Sequence, residues 1–306
     1  MKEIPTVVTI ACDRDLALLQ LQAQSICKYL DRINPVCIVI NEDNPEICQR
    51  YIHDELGEYY KNHALTVLTR DQVIDHVQVF SPHQKNPWGL GWQIQQVLKL
   101  AVSYQLSSNA YLVLDCQNFL IKPWSACFLG DRLPYRRGFF AMPKQAYYNY
   151  AASVELDQLP DLTDNHYMSM CTPFYMHTGM VMSLIEHFDG LDNFAFNFNR
   201  ISRIKSEFML YAAWLEKHGG IEKYHEQTHD FGHPMLRDSR TDFDKKFLQF
   251  LFSIGTHETH AWVSVNHRSW GDMSDEQYQV LCKKLSNYDL HPDFEKYREN
   301  YVDYVL

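Results

Sequence analysis

Long hydrophobic runs are missing from this sequence of 306 residues. A membrane-spanning helix needs about 18 consecutive apolar residues, and a charged residue interrupts each candidate window, so the sequence predicts no transmembrane segment. The N-terminal run also lacks the longer apolar stretch and the cleavage site of a signal peptide, because Cys12 and Asp13 interrupt it. This run is interpreted as a first β-strand.

Positive charge is scarce as well, since 28 Lys and Arg stand against 38 Asp and Glu and give a net charge of −10. Non-specific binding to nucleic acid depends on clustered cations that displace counterions, so no nucleic-acid partner is expected. With 12 Gly and 12 Pro, the composition also excludes collagen-like, disordered and low-complexity chains.

Paired cysteine motifs are absent too. The 8 cysteines stand singly and none belongs to a C-x-x-C pair, which argues against a zinc ribbon and favours reduced thiols. The sequence therefore predicts a cytoplasmic protein.

Apolar strands alternate with amphipathic helices in the first part of the chain. Continuous β-branched and apolar runs predict four strands, at 6–10, 36–40, 64–68 and 110–114. Apolar residues at helical spacing predict helices at 16–30, 47–60, 92–106, 206–218 and 276–285. Polar residues follow each strand, which is typical of parallel βαβ units in an open α/β sheet. We expect one domain over 1–270, with 147–172 rich in loops, and a helical C-terminal extension over 271–306.

Asp115 follows the apolar run 110–114 directly. Ligands of open α/β sheets bind at the carboxyl ends of the strands, where a carboxylate can contact a substrate or a hard divalent cation. An Asp at this place can alternatively cap a turn.

Three short patterns around Asp115 carry a resemblance to a known family. The predicted helix reads Gly91-Trp92-Gln93-Ile94-Gln95-Gln96-Val97-Leu98-Lys99, the strand ends in Asp115-Cys116-Gln117, and Lys122-Pro123 follows. This order resembles that of bacterial GT-A-fold nucleotide-sugar glycosyltransferases, with Gly-Trp-x-x-Gln-Gln-x-x-Lys, Asp-x-Asp and Lys/Arg-Pro. The later segment Ser206-Glu207-Phe208-Met209-Leu210-Tyr211 resembles their Ser-Glu-x-x-x-Tyr helix. The similarity covers roughly the first two-thirds of the chain.

The resemblance implies a fold and a reaction. The fold is a GT-A-like, Rossmann-like α/β fold with a mostly parallel central sheet flanked by helices. The reaction is transfer of a sugar from a nucleotide-diphosphate donor, such as a UDP-sugar, to a glycan or lipid-linked acceptor in cell-surface polysaccharide synthesis. Peripheral association with a membrane is compatible with such an acceptor.

Several residues are candidates for binding the donor. Asp13 and Arg14 end the first strand, where GT-A relatives contact the base and ribose, although Arg14 can instead pair with Asp15 or Asp31. Lys85 lies in a loop rich in Pro and Gly, and it either reaches a phosphate as a point charge or stays solvated.

Trp92 and Gln96 lie four residues apart and share one helix face, which lines the donor pocket or packs in the core. In the Asp-x-Asp pattern the second carboxylate binds Mn²⁺ or Mg²⁺, which stabilises the leaving diphosphate. Asp115 keeps the first carboxylate, but position 117 is Gln. Either the metal binds more weakly, or cationic and backbone N–H groups replace it, or the protein is inactive. His267 is the candidate for the late histidine that many GT-A enzymes add to the metal, and His260 is an alternative.

Glu207 is the candidate catalytic base. Inverting transfer needs a carboxylate within hydrogen-bonding reach of the acceptor hydroxyl, and the resemblance places this helix on the acceptor side. A Glu in the first turn, after the capping residue Ser206, is also favoured by the helix dipole alone. His177 lies where the relatives carry a histidine, and it is the candidate acceptor-binding residue.

Three other functions remain open from the sequence. Gln117 supports a degenerate relative that binds a glycan or a partner without turnover. A nucleotidyltransferase would need a Gly-rich basic loop after the first strand, and the sequence Ala11-Cys12-Asp13-Arg14 has no such glycine. A zinc hydrolase is suggested by the spacing of His225, His229 and His233, but Pro234 breaks any helix there.

Overall fold

The structure is a computed structural model. It describes residues 2–30, 34–74, 90–126, 128–129, 132–135, 137–138, 144–159, 167–168, 171–202, 206–228, 235–236, 242–255, 261–266, 269–270 and 273–292.

The elements are numbered here in chain order. The strands are β1 (Lys2–Glu3), β2 (Thr6–Ala11), β3 (Val36–Ile40), β4 (Leu65–Thr69), β5 (Ala110–Asp115), β6 (Asn118–Leu120), β7 (Phe128–Leu129), β8 (Leu133–Tyr135), β9 (Arg137–Gly138), β10 (Tyr167–Met168), β11 (Phe174–His177), β12 (His225–Gln227), β13 (Met235–Leu236) and β14 (Trp262–Val265). The α-helices are α1 (Leu16–Tyr29), α2 (Glu46–Tyr51), α3 (Arg70–Val73), α4 (Leu90–Ala101), α5 (Lys144–Ser153), α6 (Thr178–His187), α7 (Leu191–Ile201), α8 (Glu207–Lys217), α9 (Ile221–Tyr224), α10 (Phe243–Ser253) and α11 (Asp275–Ser286).

The central sheet has five strands in the order β11-β5-β2-β3-β4. Strands β5, β2, β3 and β4 are parallel, and β11 runs antiparallel to β5. The four strands predicted from apolar runs are therefore present as β2 to β5, and the predicted mostly parallel α/β sheet is confirmed.

The order of the strands creates a switch point between β2 and β5. The chain builds β2, β3 and β4 outward on one side and then crosses to place β5 on the other side of β2. Ile10 of β2 is paired with Asp115 of β5. In open α/β sheets, ligands bind in the crevice outside the carboxyl ends of the strands at such a point, so Asp115 lies where a ligand is expected.

Helices cover both faces of the sheet. Side chains alternate between the faces along a strand, so Val7 and Leu112 belong to the core that contains α1 and α11, while Val8 and Val113 belong to the core that contains α4 and α8. Both faces are thus buried, as continuous apolar strands require. No described helix combines the length and apolarity that crossing a membrane would take.

Two predicted segments differ from the structure. The helix α5 extends into the region 147–172 as far as Ser153, because Tyr147, Tyr150 and Ala151 recur at helical spacing and pack in the core. The helix predicted over 47–60 is α2 followed by a π-helical turn (Ile52–Leu56) and a 3-10 turn (Gly57–Tyr60). Helix α11 falls within the predicted C-terminal extension, and the boundary at residue 270 stays a prediction.

Candidate functional site

Asp115 is held at the end of β5 by a chain of buried and partly buried hydrogen bonds. Its backbone N–H donates to Oδ1 of Asn118 at 2.7 Å. The amide of Gln22 donates to the carbonyl oxygens of Asp115 and Asn118, at 2.8 and 3.1 Å. Thr9 in turn donates to Oε1 of Gln22 at 2.9 Å. These contacts fix the turn between β5 and β6, and with it the position of the Asp115 side chain.

Both carboxylate oxygens of Asp115 have partners within the protein. Oδ1 lies 2.9 Å from Nζ of Lys99, and Oδ2 accepts a hydrogen bond of 2.7 Å from the hydroxyl of Thr172. The side chain of Asp115 is still 27% exposed. It is therefore a preoriented carboxylate that a ligand at the carboxyl edge can contact.

Lys99 joins Asp115 to Glu207. The Lys99 side chain projects from α4 and is only 4% exposed, and its ammonium lies 2.9 Å from Oε1 of Glu207 as well. The ammonium also lies 5.3 Å from the ring centroid of Phe208, a favourable cation–π distance. Burial lowers the pKa of Lys99, but Asp115 and Glu207 outweigh this effect and hold that pKa above its usual value. Lys99 therefore stays charged at neutral pH.

Glu207 begins α8 and is almost completely buried, with a side chain 1% exposed. Ser206 caps the helix, since its hydroxyl accepts from the backbone N–H of Met209 at 3.3 Å. The amide of Gln96 faces the Glu207 carboxylate, and the orientation that satisfies both groups places the amide nitrogen 2.8 Å from Oε1. Burial raises the pKa of Glu207, and the Lys99 ammonium opposes this shift.

The structure thus brings together three of the predicted site residues, Gln96, Asp115 and Glu207, around a lysine that was given no role from the sequence. Lys99 was part of the helix pattern that carries the resemblance. Trp92, Gln96 and Lys99 are spaced i, i+4, i+7 and share one helix face. This spacing could therefore have predicted that Lys99 lies beside the candidate residues Trp92 and Gln96. Thr172 gave no such signal, because it is distant from Asp115 in sequence.

Asp13 and Arg14 lie in a 3-10 turn directly after β2, at the switch point. The backbone N–H of Asp13 donates to Oε1 of Glu42 at 3.0 Å, and that of Arg14 donates to Oδ1 of Asp13 at 2.7 Å. The carboxylates of Asp13 and Asp15 act electrostatically on the Arg14 guanidinium. These residues share the carboxyl edge of the sheet with Asp115.

The remaining predicted residues are placed as follows. Trp92 is half-buried on α4, and Gln117 is half-buried in the turn after β5, where its carbonyl oxygen accepts from the N–H of Val265 at 3.4 Å. Lys85 and His267 lie outside the described residues.

His177 is not brought to the carboxyl edge. It is paired with Ala110, at the opposite end of β5 from Asp115, which separates the two by about 17 Å along the strand. Its Nε2 lies 2.9 Å from the carbonyl oxygen of Tyr224, and its ring lies 5.5 Å from that of His225. A ligand bound at Asp115 is therefore far from His177.

The residues described around Asp115 do not fit a divalent-metal site. Among described residues, Cys12, Asp13 and Glu42 form the group of three His, Cys, Asp or Glu side chains whose ligand atoms lie close enough to share an ion, and Asp115 is not part of this group. Gln117 offers a neutral amide, and the Asp115 carboxylate already pairs with an ammonium. Burial raises the pKa of the Cys12 thiol, which disfavours the thiolate that binds metals.

The fold is shared with two solved glycosyltransferases. The apo structure of the bifunctional glycosyltransferase WbbM matches with a TM-score of 0.52 and 13% identity over 100% of this chain, which spans 52% of that protein. The galactosyltransferase LgtC, in complex with donor and acceptor sugar analogues, matches with a TM-score of 0.54 and 11% identity over 95% of this chain and 99% of LgtC. The chain thus spans about half the length of WbbM and nearly all of LgtC. The predicted GT-A-like fold is confirmed.

Sequence comparison adds the family. No curated protein sequence matches the chain. Residues 4–250 match a family described as "Family of unknown function (DUF6492)", and this chain belongs to that family.

Proposed function

We propose that this protein is a glycosyltransferase that moves a sugar from a nucleotide-diphosphate donor to a glycan or lipid-linked acceptor, in the cytoplasm and for cell-surface polysaccharide synthesis. The observation that carries the proposal is the position of Asp115. Its carboxylate stands at the switch point of a GT-A-like sheet, oriented by Lys99 and Thr172 and still partly exposed.

The donor nucleotide is assigned to the crevice between the ends of β2 and β5. In this proposal Asp13 and Arg14 contact the base or ribose from the β2 side, and Asp115 contacts the donor from the β5 side. Trp92 lies on the helix face that also carries Gln96 and Lys99, where an indole can cover the bound ligand. Gln117 and Lys85 remain candidates for the diphosphate.

Asp115 and Glu207 have different roles in this proposal. The Glu207 carboxylate is turned toward Lys99 and Gln96 and is nearly unexposed, so its part is to position Lys99. Asp115 has the exposed surface that contact with a substrate hydroxyl requires. Asp115 is therefore the carboxylate that we assign to the reacting ligand.

The experiment is calorimetric titration of the protein with UDP, GDP, CMP and ADP. We expect selective binding of one nucleotide, and Asp115→Ala and Asp115→Asn should weaken that binding at least about tenfold, or about 1.4 kcal/mol. The matched control is Asp192→Ala, which removes an exposed carboxylate on α7 and should leave binding unchanged. Failure of the wild-type protein to bind any of the four nucleotides would reject the proposal.

A second candidate function is binding of a nucleotide sugar or glycan without turnover. Two features favour it. Position 117 is a neutral amide in place of the second carboxylate of the Asp-x-Asp pattern, and Glu207, the predicted catalytic base, is buried away from a substrate. Release of free nucleotide from UDP-sugars, above the rate without protein and lost in Asp115→Ala, would exclude this candidate. Nucleotide binding with no release from any donor tested would support it.

A further inference from the structure

The cluster formed by Gln96, Lys99, Asp115, Thr172 and Glu207 carries a consequence for the role of metal ions. One ammonium lies between two carboxylates, and the carboxylate nearer to the ligand crevice is Asp115. The ammonium lies 2.9 Å from one oxygen of each carboxylate, and the Glu207 carboxylate also faces the amide of Gln96. At the partly exposed end of the cluster, a fixed ammonium therefore already lies beside the Asp115 carboxylate.

We propose that this site binds its nucleotide ligand without a divalent cation, because the Lys99 ammonium holds the charge position beside Asp115 that a metal would otherwise take. The inference rests on the proposed function and deepens it.

Two physical features disfavour a cation at Asp115. A divalent ion bound to this carboxylate would lie close to the Lys99 ammonium in a buried setting, where like charges repel more strongly than in water. Among the described residues, position 117 also supplies a neutral amide where a second carboxylate would be needed, and hard divalent ions prefer carboxylate oxygens. Thr172 and Lys99 already provide Asp115 with one hydrogen-bond donor for each oxygen.

The test uses the full-length protein and two independent titrations. Manganese binding is followed by electron paramagnetic resonance, in which free Mn²⁺ gives the signal and protein-bound Mn²⁺ does not. Nucleotide binding is followed by calorimetry with UDP, GDP, CMP and ADP, once in EDTA and once in Mn²⁺. We expect no loss of the Mn²⁺ signal on adding protein, and dissociation constants in the two media that agree within about threefold.

Three results would overturn the inference. The first is nucleotide binding that weakens at least about tenfold in EDTA, and the second is Mn²⁺ bound by the wild type and released by Asp115→Ala. If no nucleotide binds in either medium, the proposed function fails, but the Mn²⁺ titration still decides whether Asp115 holds a metal.

A designed pair of variants supplies the third result. Gln117→Asp adds the missing carboxylate and keeps the ammonium, whereas Lys99→Met/Gln117→Asp adds the carboxylate and removes the ammonium. We expect the double variant to bind Mn²⁺ at least about tenfold more tightly than the single variant. Equal Mn²⁺ affinities in the two would show that Lys99 does not occupy the metal position. If the double variant does not fold, the wild-type titrations decide.

Discussion

The ammonium of Lys99 lies 2.9 Å from the carboxylate of Glu207, and the two side chains are only 4% and 1% exposed. They come from α4 and α8, which are far apart in sequence, and the same ammonium reaches Asp115 at the edge of the sheet. This ion pair therefore ties the packing of two helices to the orientation of the carboxylate in the proposed ligand crevice. Stability and ligand binding are expected to change together when the pair is altered.

Replacement of Lys99 by methionine should destabilise the protein strongly. Met fills much of the same volume, but it leaves two carboxylates that were paired with the ammonium, one of them fully buried. Breaking one side of a buried ion pair typically lowers the free energy of unfolding by about 3–5 kcal/mol. The measurement is the free energy of unfolding from urea denaturation at pH 7.

Two variants control this prediction. Lys99→Met/Glu207→Gln removes the buried negative charge as well and should recover at least about half of the lost stability, because replacing both members of a buried pair is far less harmful than removing one. Lys245→Met, at an exposed position on α10, should change stability by less than about 0.5 kcal/mol. Equal destabilisation of the single and double Lys99 variants would show that the unpaired charge of Glu207 does not cause the loss of stability.

Burial of both faces of the central sheet explains which strands could be predicted from the sequence. The runs that became β2, β3 and β5 are continuous and apolar because both faces of the sheet are covered, so their period and length are visible in the sequence. The antiparallel strand β11 was not predicted. It lies beside β5 through contacts between residues far apart in the chain, such as Tyr175 with Leu112, and local patterning does not reveal such pairing.

The candidate site could also be predicted only in part, because only local patterns can be seen in the sequence. Asp115 could be found because it follows a buried strand, and Gln96 and Glu207 because they belong to recognisable helix patterns. The partnership of Lys99 with Asp115 and Glu207 could not be found, because it depends on how α4 and α8 pack on the sheet. The burial of Glu207 was hidden by its place in a first helical turn, where an exposed Glu is equally typical.

Removal of the Ser206 hydroxyl should destabilise α8. Ser206 accepts from the N–H of Met209, and its own N–H donates to the hydroxyl of Tyr150 at 2.9 Å in a buried environment. Ser206→Ala loses the first contact only, and loss of such a cap lowers stability by about 1 kcal/mol or somewhat more. Urea denaturation measures the change.

Ser274 provides the matched control, because it caps α11 with a capping box at an exposed position. Ser274→Ala should lower stability by no more than about 1 kcal/mol, and it should leave nucleotide binding intact. Ser206→Ala should weaken nucleotide binding as well, since Glu207, in the first turn of the capped helix, positions Lys99. Identical nucleotide affinities of the two variants would show that the start of α8 does not influence nucleotide binding.

His225 should make the protein sensitive to mild acid. Burial lowers the pKa of His225 well below its usual value, and the nearby His177 lowers it further. The Tyr211 hydroxyl accepts from the backbone N–H of His177 and so can donate to Nε2 of His225, 3.0 Å away, which matches a neutral ring. Below pH of about 6.5 the unfolded chain takes up a proton at this residue and the folded chain does not. The free energy of unfolding should therefore fall by up to about 1.4 kcal/mol per pH unit, until the folded-state pKa is reached.

Comparison with His225→Gln isolates this contribution, because glutamine keeps an acceptor for Tyr211 and does not titrate. Carboxylates elsewhere titrate in both proteins, so their effect cancels in the difference between the two curves of stability against pH. The difference should be constant above pH of about 7 and should shrink as the pH falls below about 6.5. A difference that does not depend on pH would contradict a neutral, buried His225.

Asn118 should control the geometry of Asp115 without touching a ligand itself. It is fully buried, its Oδ1 accepts from the N–H of Asp115 at 2.7 Å, and its Nδ2 donates to the hydroxyl of Ser264 in β14. Asn118→Ala leaves the N–H of Asp115 without its acceptor, at a stability loss of about 1–3 kcal/mol. The turn that carries Asp115 and Gln117 is then less constrained, so nucleotide affinity should fall as well.

Ser264→Ala separates these two effects. It leaves Nδ2 of Asn118 without its acceptor but keeps the bond to Asp115, so it should lower stability by a similar amount, about 1–3 kcal/mol, and leave nucleotide affinity within about twofold of the wild type. Calorimetry with the nucleotide that the wild type binds, at a temperature where every variant is folded, gives the comparison. If Ser264→Ala weakens binding as much as Asn118→Ala, the effect arises from general loosening of β6 and β14, and Asn118 has no specific part in orienting Asp115.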